Sequence, residues 1–129
     1  MKIALSVALG AGVGGVFRVA VTNGVQQWYG PDFPLGVLLV NIIGSFLIGF
    51  LATITAPEGR FYLSPALRQF AMAGFCGGFT TFSFFSLQTL QLIESGQAGL
   101  AALYSVLTLI LSMIAVWSGH GLGMRLSRG

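Results

Sequence analysis

Apolar and polar residues do not alternate along this chain at the period of a strand; the apolar ones gather into four long runs with short polar interruptions between them. A helix rises about 1.5 Å per residue, so roughly 20 mostly apolar residues cross the ~30 Å hydrocarbon layer of a bilayer. Residues 3–21, 35–55, 69–93 and 99–119 reach that length and are predicted to be four transmembrane helices. Helix is the default because lipid offers no partner to open backbone groups. The connections, residues 29–34, 56–60 and 94–96, are short, and Pro31, Pro34, Pro57 and nearby glycines mark the first two as turns. The predicted class is an all-α membrane protein with a single four-span domain over residues 1–129, whose activity lies within or across the bilayer. Met1–Lys2 before an apolar run has the look of a signal peptide, but the later runs are just as apolar, so the first is read as retained.

Composition agrees and narrows the field. The chain is 55% hydrophobic and 7% charged, with a mean hydropathy of +0.88. Its net charge of +3 is scattered between runs and at the ends, which argues against nucleic-acid binding. Cys76 is the single cysteine, so an internal disulfide is excluded, and no Cys or His pair has metal-ligand spacing. Gly10-Ala11-Gly12-Val13-Gly14-Gly15 matches a dinucleotide fingerprint, but without strand–helix alternation around it the match is rejected. His120 has no partner histidine or acid and reads as an interfacial residue. Asp32, Glu58 and Glu94 all fall at predicted ends or loops, so no carboxylate reaches the bilayer centre. A proton-coupled exporter of cationic drugs needs such an acid.

Polar groups inside the runs are the functional candidates, because each is costly in lipid unless satisfied. The third run carries Gly74-Phe75-Cys76-Gly77-Gly78-Phe79-Thr80-Thr81-Phe82 at its middle, and the adjacent glycines predict an interruption of the helix there. Freed carbonyls at such a break can bind a cation. Gly10/Gly14, Ala11/Gly15 and Ser45/Gly49, each spaced by four, read instead as close-packing faces. Asn41 stands in an aliphatic stretch with Ser45 on the same face; its amide can donate to an anion or bind a neighbouring helix. Tyr104, Thr108 and Ser112 make one hydroxyl stripe, either a wet path or hydroxyls bonded back to their own helix. Phe82 and Phe85 share a helix face and either pack or present positive ring edges to an anion. Arg18 either snorkels in a structural role or draws anions toward a vestibule.

Taken together, these features resemble the Fluc/CrcB family, small four-span proteins that export fluoride from microbes. The resemblance covers nearly the whole chain. Residues 74–86 are similar to the family's G-x-x-G-G-x-T-T-F-S-T-F-S, with Phe84 in place of a threonine. Residues 36–46 resemble G-T-L-x-V-N-x-x-G-S-F, with Val37 for threonine. Residues 10–18 match G-G-x-x-G-A-x-x-R more loosely, Val19 replaces the usual tyrosine, and Gln88 stands where the family often has an acid.

The resemblance implies an antiparallel homodimer of dual topology in the cell inner membrane, with two fluoride pathways and a structural sodium ion at the interface. The sodium would be held by the backbone carbonyls of Gly77 and Thr80. Asn41, Phe82, Ser83 and Phe85 would line the anion path, and Tyr104, Thr108 and Ser112 would supply its hydroxyl track. The expected activity is passive flow of fluoride, with membrane lipid as the surrounding partner. Two rivals remain at this point: an ion-coupled small exporter of the four-span dimeric type, and a non-transporting assembly subunit. One count runs against dual topology: Lys2, Arg60, Arg68, Arg125 and Arg128 fall on the side of both termini, which favours a single orientation.

Overall fold

The computed structural model describes all 129 residues, Met1 to Gly129, and is helical without strands. Its four long segments are each apolar enough to cross a membrane, and the protein is a multi-pass membrane protein. Helix α1 is Lys2–Tyr29 and α2 is Leu35–Ile54. The third span consists of α3, residues 65–79, and α4, Phe82–Glu94; α5 is Ala98–Arg128.

Two of these helices outrun their apolar stretches. With 28 residues α1 is about 42 Å long, more than the ~30 Å of a hydrocarbon core, and its C-terminal turns carry the polar Thr22, Asn23, Gln26 and Gln27. Gly30 ends it with a φ of 104°, a conformation that side chains rarely adopt. The 31 residues of α5 likewise exceed that length, and Arg125 and Arg128 stand in its last turn, where their charge suits the negative end of the helix.

Helix α2 is central: it lies along α5 on one side and against α1 on the other, while α1 packs along α3 and α4 leans on α5. Lipid gives no hydrophobic drive for helices to associate, so close van der Waals fit must supply it. Small residues provide that fit. A Cβ added to Gly10 would lie 2.9 Å from Gly74 Cα and from Phe75 N, and one on Gly78 would lie 2.8 Å from Ala11 Cα. Helices α1 and α3 therefore touch backbone to backbone. Gly49 and Gly119 do the same for α2 and α5, in agreement with the packing faces predicted for Gly10/Gly14 and Ser45/Gly49. Val37, Leu38 and Tyr104 form the buried cluster between α2 and α5, with Phe33 and Phe85 against it.

The third span bends at its centre. Residues Phe70–Cys76 form a widened, π-type stretch, and Gly77–Phe79 return to α geometry. Thr80 (φ −87°, ψ 163°) and Thr81 (φ −155°, ψ 123°) are then extended before α4 begins. The glycine pair itself is helical, Gly77 having φ −65° and ψ −37°. Glycine here does not do what its propensity suggests: Gly78 serves the close approach to α1, and the extended backbone falls on the threonines that follow.

The basic end of the molecule is tied together by helix-end carbonyls. Arg68 donates from Nε to Thr55 Oγ1 at 3.0 Å and from Nη2 to Ala52 O at 3.2 Å. Arg60 donates from Nη1 to Leu126 O at 3.2 Å. Each cation meets orphan carbonyls at the negative end of a helix.

Candidate functional site

The bend is built by side chains that take over backbone hydrogen bonds. In an unbroken helix, the N–H of Thr81 would donate to Gly77 O and that of Phe84 to Thr80 O. Thr81 N instead donates to Asn41 Oδ1 at 2.8 Å, and Asn41 Nδ2 donates to Thr81 O at 3.1 Å. Asn41 thus clasps both polar groups of Thr81 from the neighbouring helix. Phe84 N donates to Thr81 Oγ1 at 3.1 Å, an N-cap that starts α4. The carbonyls of Gly77 and Thr80 are released as a result. Thr80 O receives one long contact, 3.5 Å from Arg18 Nη1.

Beside the bend lies an open-sided hollow of about 370 Å³ between α2, the third span and α5. Asn41, Gly77, Thr80, Phe82, Phe85, Thr108 and Ser112 all border it. Two of them carry an anomaly. Many hydroxyls in these helices bond back to the carbonyl four residues earlier, as Thr53, Thr89, Ser105 and Ser118 do at 2.8–2.9 Å. The hydroxyls of Thr108 and Ser112 are buried and have no protein partner. A buried polar atom left unmet costs about 1–3 kcal/mol, which folding tolerates poorly unless the atom has another use. Both stand on the α5 wall of the hollow. Phe82 and Phe85 face each other at 5.8 Å between ring centroids and 46° between planes, and Phe82 is 79% exposed.

A second hollow of about 380 Å³ opens where α1 ends, lined by Thr22, Gln26, Asp32, Gln88, Gln91 and Gln97 among others. Tyr104 is fully buried and stands between the two. Its hydroxyl donates to Gln88 Oε1 at 2.8 Å, and its ring lies 5.1 Å from Phe85.

The sequence candidates therefore separate. Asn41, Phe82, Phe85, Thr108, Ser112, Gly77 and Thr80 come together around one hollow. Tyr104 continues the stripe of Thr108 and Ser112, but its hydroxyl is engaged by Gln88. Ser83 is exposed, does not border the hollow, and lies 3.3 Å from Thr81 Oγ1 through its own hydroxyl. Arg18 is half-buried and reaches the bend. Two participants were not foreseen from the sequence, Thr81 as the N-cap and Gln88 as the partner of Tyr104. A threonine directly before an aromatic run is an N-cap signal that finds the first; nothing local marks the second.

Three carboxyls, one cysteine and one histidine are spread so that no three of them form a metal-binding group. The donors that suit a cation are the released carbonyls of Gly77 and Thr80, hard oxygen ligands of the kind sodium takes. Residues 5–120 match the family described as "CrcB-like protein, Camphor Resistance (CrcB)". The chain belongs to the CrcB family. A relative from Opitutus terrae, a "Fluoride-specific ion channel FluC", is 52% identical over 120 residues, covering 93% of this chain and 91% of its own. Relatives with the same name from Methylocella silvestris (43% over 116 residues, 90% and 88% covered) and, as FluC 1, from Bradyrhizobium diazoefficiens (43% over 122 residues, 95% and 84% covered) are similar across their lengths.

Proposed function

We propose that this protein is a fluoride channel, passing the ion down its gradient and out of the cell through the hollow beside the bend. The names of its relatives support the substrate. The observation that carries the path is the pair of buried, unpartnered hydroxyls of Thr108 and Ser112 facing Phe82 and Phe85. Fluoride is small and strongly hydrated, so it crosses only where donors replace its water. Each hydroxyl offers one donor, Asn41 retains one amide hydrogen beyond its clasp of Thr81, and the phenyl edges are electropositive. Chloride, larger and a poorer acceptor, gains less from the same narrow set.

In this reading the open side of the hollow is closed by a second copy, antiparallel to the first, against the exposed Phe82 and Gly77. A structural sodium ion sits on the carbonyls of Gly77 and Thr80, where it supplies fixed positive charge that links the two bends. Ser83 and Tyr104 flank the path, Tyr104 at the boundary with the glutamine-lined hollow, and Arg18 steadies the bend. No step breaks or forms a covalent bond, so the protein is not an enzyme.

Purified protein in liposomes tests this with a fluoride electrode. Fluoride efflux without chloride efflux is the expected result, unaffected by an imposed proton gradient. Equal passage of both halides, passage of neither, or flux that follows the proton gradient would overturn it.

A further inference from the structure

We infer that Asn41 and Thr81 are positioning residues for a cation at the bend: by capturing the N–H groups of Thr81 and Phe84, their side chains free the carbonyls of Gly77 and Thr80 to bind it. This rests on the sodium reading above and gives it a cause within the chain.

The bond exchange is specific. The donor that would return to Gly77 O is Thr81 N, held 2.8 Å from Asn41 Oδ1. The donor that would return to Thr80 O is Phe84 N, held 3.1 Å from Thr81 Oγ1. Both replacements are acceptors, so each peptide N–H stays satisfied while its usual carbonyl loses that bond, Thr80 O keeping only the 3.5 Å contact from Arg18 Nη1. Asn41 is 9% exposed and closes the clasp with its own donor on Thr81 O at 3.1 Å, which fixes the amide's orientation. Extended backbone at Thr80 and Thr81 is what this exchange requires, and it falls there although Gly77 and Gly78 are more permissive. Two side chains, and not the glycines, thus select which carbonyls are exposed. An acceptor is the essential feature at both positions. A hydroxyl suffices at residue 81, whereas residue 41 needs an acceptor and a donor side by side, as an amide provides.

The test is the melting temperature of the purified, full-length protein in detergent, titrated with sodium chloride against N-methylglucamine chloride at constant ionic strength. It reads cation binding without any flux. Sodium is expected to raise the melting temperature of the unmodified protein. Asn41→Leu should raise the half-saturating sodium concentration at least tenfold, because Thr81 N–H can return to Gly77 O. Thr81→Val should do the same through Phe84 and Thr80 O, while Thr81→Ser, which keeps the acceptor, should retain the response. The threonine pair decides the matter if Asn41→Leu does not fold. A sodium shift that persists in Asn41→Leu and Thr81→Val refutes the inference and leaves the sodium reading standing. An unmodified protein indifferent to sodium refutes both.

Discussion

Replacing Thr108 with valine should make the protein a poorer channel without making it a weaker fold. Valine keeps the shape of threonine and deletes only the hydroxyl, which is buried and has no protein partner. An unmet buried hydroxyl costs about 1–3 kcal/mol, and water admitted to the path offsets part of that. The expected change therefore runs from none to about 2 kcal/mol of stabilisation, at most several degrees in melting temperature for a chain of this size. Thr89→Val is the control, since Thr89 Oγ1 donates to Phe85 O at 2.8 Å; losing that bond should cost about 0.5–1.5 kcal/mol. Flux should move the other way. A hydrogen bond to a charged group is worth about 1.5–3 kcal/mol, and its loss along the path corresponds to roughly 10- to 150-fold slower fluoride efflux. Thermal melts in detergent and electrode-monitored efflux from liposomes measure the two sides. A Thr108→Val protein that melts below Thr89→Val, or one whose efflux stays within twofold of the parent, would refute the reasoning.

Other substitutions probe the remaining parts. Gly10→Val should collapse the yield of folded protein, because its Cβ meets the backbone of α3 at 2.9 Å, whereas Gly12→Ala, with nothing within 4 Å, should fold normally; gel filtration after extraction distinguishes them. Phe85→Ile should slow fluoride efflux with its chloride exclusion and folded yield retained, and undiminished flux would show that the ring edge has no part. Arg68→Ala should lower stability by about 1–3 kcal/mol through loss of its bonds to Thr55 and Ala52, without changing the selectivity of flux.

The spans were legible because each is a long uncharged or nearly uncharged run, and length alone decides the matter in lipid. Their ends were less so. Residues 22–29 and 120–128 have no apolar run to declare them, yet α1 and α5 continue through both, since a helix already nucleated propagates cheaply into polar sequence. Around the hollow, composition named most of the residues that come together but not which groups they bind. Asn41 and Thr81 are 40 positions apart, and no local pattern says that one clasps the other. The stripe of Tyr104, Thr108 and Ser112 is regular in sequence, but Gln88, 16 residues away from Tyr104, engages only the first. The glycine pair drew attention for its helix-breaking propensity, while its neighbour in space, Ala11, shows that Gly78 serves proximity. Long-range partners decided each of these, and single-position propensity carries no information about them.

The contact of α1 with α3 has a mechanical consequence. Where Gly10 meets Gly74 there are no side chains to change rotamer, and sliding either rod by one residue would drive Ala11 or Phe75 into the space now shared by two main chains. A carrier that alternates between inward- and outward-facing states needs a joint with two comfortable settings. This seam has one. The α1–α3 half of the chain is thereby a stationary wall, and in the proposed channel the ions would move while this part of the protein stays still.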